Sequence, residues 1–120
     1  LGSIAAGQPI LAQENIKGYE KVPSEKVRDG KYFYLEVSGD SMIGAGIYEG
    51  DLVLVRKQCD VNHKDIAVVM VNAHDATLKR VFKQNGSVIL QPENKKYDPI
   101  MIKSKDARIV GKVVGLTRLF

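Results

Sequence analysis

Six apolar runs of strand length, each bounded by turn-forming residues, restrict this chain to a mostly β fold. They are Tyr32–Val37, Gly50–Arg56, Ile66–Asn72, Ala76–Lys83, Ser87–Gln91 and Arg108–Thr117. Leu52-Val53-Leu54-Val55 and Val68-Val69 have the β-branched character of buried strands. Asn85-Gly86 between two runs predicts a hairpin turn, and so does Asn72-Ala73-His74-Asp75. Helical spacing is weak. It is confined to about one turn at Ser24–Val27 and to the Ser41–Ile47 neighbourhood. The first third is broken by Gly2, Gly7, Pro9, Gly18, Pro23 and Gly30 and predicts irregular chain. The expected architecture is one compact, mostly β domain spanning residues 1–120.

Composition supports a single core without staples. With 44% hydrophobic residues and no Trp, the interior must be built from Val, Ile and Leu. The one cysteine, Cys59, cannot close an internal disulfide, which suits a reducing cytoplasm. Cys59, His63 and His74 do not have a metal-ligand spacing, so neither metal nor cofactor is expected. No apolar run approaches the ~20 residues of a membrane span, and no signal-peptide pattern opens the chain. The net charge is +4, but the 18 basic and 14 acidic residues are interspersed. That distribution predicts a mildly basic domain and not a nucleic-acid arm.

Three features could carry chemistry. Ser38-Gly39-Asp40-Ser41-Met42 leaves a predicted strand through a glycine turn. A serine at such an exit can present its hydroxyl beside backbone N–H groups that would hold an oxyanion. Alone, the string is commonly an ordinary turn. A serine nucleophile also needs a base. His63 and His74 are candidates, but both sit in polar, loop-like stretches. Lys79 is the other candidate, inside Thr77-Leu78-Lys79-Arg80-Val81-Phe82. Period-two alternation puts it on the face of Thr77 and Val81 without saying which face is buried. As a base it would have to be neutral near pH 7. That requires lowering its pKa from about 10.4 by roughly three units, about 4 kcal/mol. Third, Ala5-Ala6-Gly7-Gln8-Pro9 is a small-residue segment that could enter a narrow site extended, or could simply be a terminal loop.

The order and spacing of these features resemble the LexA-like repressors and the related phage repressors and mutagenesis proteins of one self-cleaving peptidase family. The matching strings are Ile4–Pro9, Val37–Met42 with Gly46-Ile47 and Gly50-Asp51, Thr77–Arg80, Leu90–Asn94 and Gly111–Gly115. They run through essentially the whole chain.

The resemblance implies a largely antiparallel, LexA/signal-peptidase-like β fold and a role for each feature. Ser41 would be the nucleophile and Lys79 its general base. Ala6 and Gly7 would flank the scissile bond, within a cleavage-site segment in residues 1–20 seated by Ile4 and Ala5. Backbone N–H groups of Asp40 and Ser41 would hold the oxyanion, with Asp40 a turn former and Met42 packed nearby. Its implied partners are a second copy, paired through Arg108–Thr117, and a RecA filament on single-stranded DNA that favours the cleavable state. Operator DNA would be read by an N-terminal domain that this chain, beginning just before the cleavage site, is expected to lack. Ala5-Ala6 fits the repressors better than the mutagenesis accessory subunits, which more often carry Cys before the Gly. The absence of a membrane anchor argues against a signal peptidase. The expected setting is the bacterial cytoplasm.

Overall fold

The computed structural model describes residues 2–5, 10–11, 31–72 and 75–118. Nine strands are present among them: β1 (Gly2–Ala5), β2 (Ile10–Leu11), β3 (Tyr32–Ser38), β4 (Leu52–Lys57), β5 (Ile66–Val71), β6 (Asp75–Gln84), β7 (Ser87–Gln91), β8 (Ile100–Lys103) and β9 (Ala107–Thr117). All six predicted strands form, within about two residues at each end. The Ser41–Ile47 neighbourhood holds only a short 3-10 turn, Ile43–Ala45. Ser24–Val27 lies outside the described residues.

The strands join in one sheet of order β1-β3-β4-β9-β5-β6-β7-β8, with β2 also on β6. Every pairing is antiparallel except that of β1 with β3. The long strand β9 is the spine. It pairs β5 through Ala107–Lys112 and β4 through Gly111–Thr117. The register slips between Val68 and Val69 and between Leu54 and Val55, so Val110 and Val114 are extra residues on β9. Such bulges bend a strand and increase its twist. The sheet curls until β1, at its start, touches β6.

Curling gives β5 and β6 two buried faces. On β5, Val68 packs with Phe33, Leu35, Val53 and Leu78, while Ala67, Val69 and Val71 pack with Val61, Val81 and Leu90. That is why Ile66–Val71 is a nearly unbroken apolar run and not an alternating one. On β6, Thr77, Leu78, Lys79 and Val81 are all buried.

The turn before β4 is fixed by a buried carboxylate. Asp51 accepts hydrogen bonds from Tyr48 N–H at 2.8 Å and from Arg118 Nε and Nη2 at 2.7 Å each. Arg118 Nη2 also reaches the Gly46 carbonyl at 2.9 Å. These contacts tie the end of β9 to the segment that follows Ser41. Asp51→Ala leaves the Tyr48 N–H without this acceptor and the guanidinium without its counter-ion. The expected loss is about 2 kcal/mol in urea unfolding, the scale of an orphaned part-buried donor.

Candidate active site

Ser41 lies three residues beyond β3, in a turn entered through Gly39. The φ of Gly39 is 91°, a conformation glycine adopts without steric cost. Ser41 is fully buried. Its Oγ is the one buried side-chain N or O atom among the described residues that makes no hydrogen bond. Buried hydroxyls are ordinarily satisfied, so an orphan of this kind is a functional signal. Among the described residues nothing accepts the Ser41 N–H either.

Lys79 is 2% exposed, in the middle of β6 and opposite Ala67 of β5. Its Nζ donates to Thr77 Oγ1 at 2.7 Å and to the Leu78 carbonyl at 3.1 Å. Burial disfavours the ammonium and lowers its pKa to about 8. Strand alternation leaves open which face of β6 is buried; Leu78 on one face and Thr77, Lys79 and Val81 on the other are all buried. Lys79 Nζ and Ser41 Oγ do not hydrogen bond in this state, since the serine oxygen has no partner.

A loop absent from the sequence reasoning brings the Ser41 turn to β6. Gln91, the last residue of β7, opposes Arg80. Two residues further, Glu93 N–H donates to the Ser41 carbonyl at 2.7 Å, and the Glu93 carbonyl accepts from Gly44 N–H at 2.7 Å. The Glu93 carboxylate pairs with Arg80, the residue beside Lys79. Asn94 Nδ2 donates to the Asp40 carbonyl at 2.9 Å. The approach at Gly44 is so close that a Cβ there would sit 2.6 Å from the Glu93 oxygen. No local pattern in Pro92-Glu93-Asn94 announces these contacts. The signal available in sequence is only the family-matching string Leu90–Asn94.

Asp40 is a turn residue. Its carboxylate accepts from the Tyr97 hydroxyl and from Lys96 Nζ at 3.4 Å. The Tyr97 hydroxyl, assisted by Lys96, holds it below the usual carboxylate range. Met42 is fully buried and shares a cluster with Val37, Ile47 and Leu78.

The remaining candidates lie elsewhere. His63 is exposed, its Nδ1 accepting the Lys83 N–H at 2.9 Å and its ring edge-on to Phe82. Cys59 is exposed just after β4 and belongs to neither core cluster. His74, Ala6 and Gly7 lie outside the described residues. The backbone of Ile4-Ala5, immediately before Ala6, runs parallel to β3 with Ala5 opposite Ser38. No cluster of metal-binding side chains occurs among the described residues, and no helix is long and apolar enough to cross a membrane.

A buried serine hydroxyl without a hydrogen bond, a buried lysine with depressed basicity and a backbone N–H with no acceptor among the described residues are the parts of serine nucleophile chemistry. Comparison with known proteins points the same way. The family model described as Peptidase S24-like matches residues 1–114. The chain is 48% identical to the LexA repressor of Geobacillus kaustophilus (strain HTA426), covering 100% of this chain and 58% of that relative. It is 47% identical to the LexA repressor of Pelotomaculum thermopropionicum, covering 98% and 57%, and 44% identical to that of Clostridium perfringens (strain SM101 / Type A), covering 100% and 58%. The chain thus spans a little over half the length of these curated relatives. With its β fold and a family match running from its first residue through most of β9, the chain belongs to the Peptidase S24-like family.

Proposed function

We propose that this chain is the self-cleaving domain of a LexA-like repressor, cutting its own Ala6-Gly7 bond. The observation that carries the reading is the orphaned, buried Ser41 hydroxyl on a turn braced against the strand of buried Lys79. Neutral Lys79 takes the Ser41 proton as Oγ attacks the Ala6 carbonyl. The Ser41 N–H, with that of Asp40, stabilises the oxyanion. Collapse then expels the Gly7 amine as Lys79 returns the proton to its nitrogen, and a water deprotonated by neutral Lys79 releases Ala6 from the serine, whose Oγ takes the proton back. The backbone of Gly2–Ala5, laid along β3 beside β6, suits delivery of a tethered substrate strand. Tethering makes attack intramolecular, so a modest catalyst suffices once the segment engages. The test is mass spectrometry of the chain after alkaline incubation. Fragments ending at Ala6 and beginning at Gly7 are expected, and none from Ser41→Ala. An intact wild-type chain after days at pH 10, still folded, would refute the reading.

The relatives' names support a repressor role for the reading; derepression of DNA-damage or prophage genes and stimulation by a RecA–single-stranded DNA filament are proposed with it, as the family resemblance implies. A partner can stimulate cleavage only by binding the cleavable state better. Added filaments should therefore raise the cleavage rate without changing the products.

A second copy is the proposed partner of Arg108–Thr117. Beyond Lys112, β9 has β4 on one edge and no strand on the other among the described residues. Val114 and Leu116 are exposed there. An unpaired strand edge with apolar side chains is a template for pairing. Sedimentation at micromolar concentration should show a dimer, and Leu116→Lys should shift it toward monomer. A monomeric wild-type chain would exclude this interface.

A further inference from the structure

The Asn94 side chain has one defined orientation. Its Oδ1 accepts the Lys96 N–H at 3.0 Å, so its Nδ2 is the atom that faces the Asp40 carbonyl. The Asn94 carbonyl in turn accepts the Tyr97 N–H at 3.1 Å, which closes the loop around it. That Asp40 carbonyl belongs to the same peptide unit as the Ser41 N–H. A peptide unit is planar and trans, so its C=O and N–H point in opposite directions. Fixing the carbonyl therefore fixes the direction of the N–H. A hydrogen bond received at the oxygen also polarises the amide and strengthens the N–H as a donor.

The neighbouring bonds fix the next peptide unit. Glu93 N–H holds the Ser41 carbonyl, the Glu93 carbonyl holds Gly44 N–H, and the Arg80 pair anchors Glu93 to β6. Both peptide units flanking the Ser41 Cα are thus held from one loop, and the unbonded Ser41 N–H is aimed from a rigid frame.

We propose that Asn94 is a positioning residue for the cleavage reaction, orienting and polarising the Asp40–Ser41 peptide so that its N–H meets the oxyanion formed at Ala6. This rests on the self-cleavage reading. In this role Asn94 acts only through the Asp40–Ser41 peptide. Its loss should lower the rate without altering the protonation of the base.

The experiment is the pH–rate profile of self-cleavage for the wild-type chain, Asn94→Ala, Asn94→Asp and Tyr97→Phe. Amide spectra are recorded on Ser41→Ala backgrounds to prevent cleavage. Asn94→Ala should lower the high-pH plateau by about 10- to 100-fold, somewhat less than deletion of an oxyanion donor, with the midpoint unmoved. Asn94→Asp keeps the acceptor for Lys96 N–H but replaces the donor by a charged carboxylate oxygen facing the Asp40 carbonyl, so its plateau should fall at least as far. The amide resonance of residue 41 should move in both variants, while those of Val69 and Leu90 in the core should not. Tyr97→Phe removes a contact to the Asp40 carboxylate and leaves the carbonyl bond. Its effect should be about threefold, the scale of an exposed polar contact.

A plateau within twofold of wild type in both Asn94 variants overturns the proposal. So does a loss in Tyr97→Phe equal to that in Asn94→Ala, which would make the loop a general support only. Failure of the wild-type chain to cleave at any pH is a different outcome. It removes the self-cleavage reading and the role of Asn94 with it.

Discussion

Self-cleavage should accelerate about tenfold per pH unit up to about pH 8 and then level off. In the proposed mechanism the nucleophile is activated only by the unprotonated Lys79 amine, and burial lowers the pKa of that group to about 8. At pH 7 about one chain in ten then carries the active base, a far larger fraction than for a lysine of ordinary pKa. The sign is opposite to that expected of a carboxylate or a charged-lysine mechanism, in which alkali would leave the rate unchanged or reduce it. The rate constant should be independent of chain concentration, because substrate and nucleophile share one polypeptide. Lys79→Ala should lower the plateau by about 10³-fold, within the range of a lost general base. Lys79→Arg should not rescue it, since a guanidinium stays charged at any accessible pH. Timed gel or mass analysis from pH 6 to 10 measures all of this. A flat profile, or wild-type rates in Lys79→Ala, would remove Lys79 from the mechanism.

Much of the scaffold was legible in the sequence because its signals are local. Ser87–Gln91 is read to the residue, since Asn85-Gly86 fixes its start and Pro92 stops it. Three strands are not read. Gly2–Ala5 has only Ile4 as a strand former among Gly, Ser and Ala, and it forms against β3. Ile10–Leu11 is only two residues long. Ile100–Lys103 is half-exposed at the sheet edge, and its alternation is too short to stand out. The helical hint at Ser41–Ile47 becomes a 3-10 turn because Gly44 and Gly46 interrupt it. At the site, Ser41 and Lys79 are legible as residue types in matching strings, but their burial is not. Alternation predicts one wet face for β6, whereas sheet curl buries Leu78 and Lys79 alike. The brace from Asn94 is invisible to any local pattern because it spans 54 positions. What the sequence lacks is therefore the curvature, and curvature is what buries the lysine.

Lys79→Met should stabilise the domain by about 2–3 kcal/mol at pH 7, even though it removes the base. The unfolded side chain titrates at 10.5 and the folded one at about 8. Between these values the unfolded chain binds the proton and the folded one does not, so wild-type stability rises with pH across this window. Below about pH 8 the folded state carries the full cost of desolvating or deprotonating the lysine, about 3 kcal/mol. Above 10.5 that cost vanishes. Methionine fills a similar volume without a charge, so the variant lacks this pH-dependent term. The gain is reduced by loss of the bonds from Nζ to Thr77 Oγ1 and the Leu78 carbonyl. Urea unfolding on a Ser41→Ala background, which prevents cleavage, should show the two stability curves separated at pH 7 and converging by pH 10.5. Parallel curves, or a less stable methionine variant at pH 7, would mean that the buried ammonium is compensated and is not held ready to lose its proton. The predicted convergence ties the two effects together: the same burial that costs the fold stability at neutral pH supplies the amine proposed to activate Ser41.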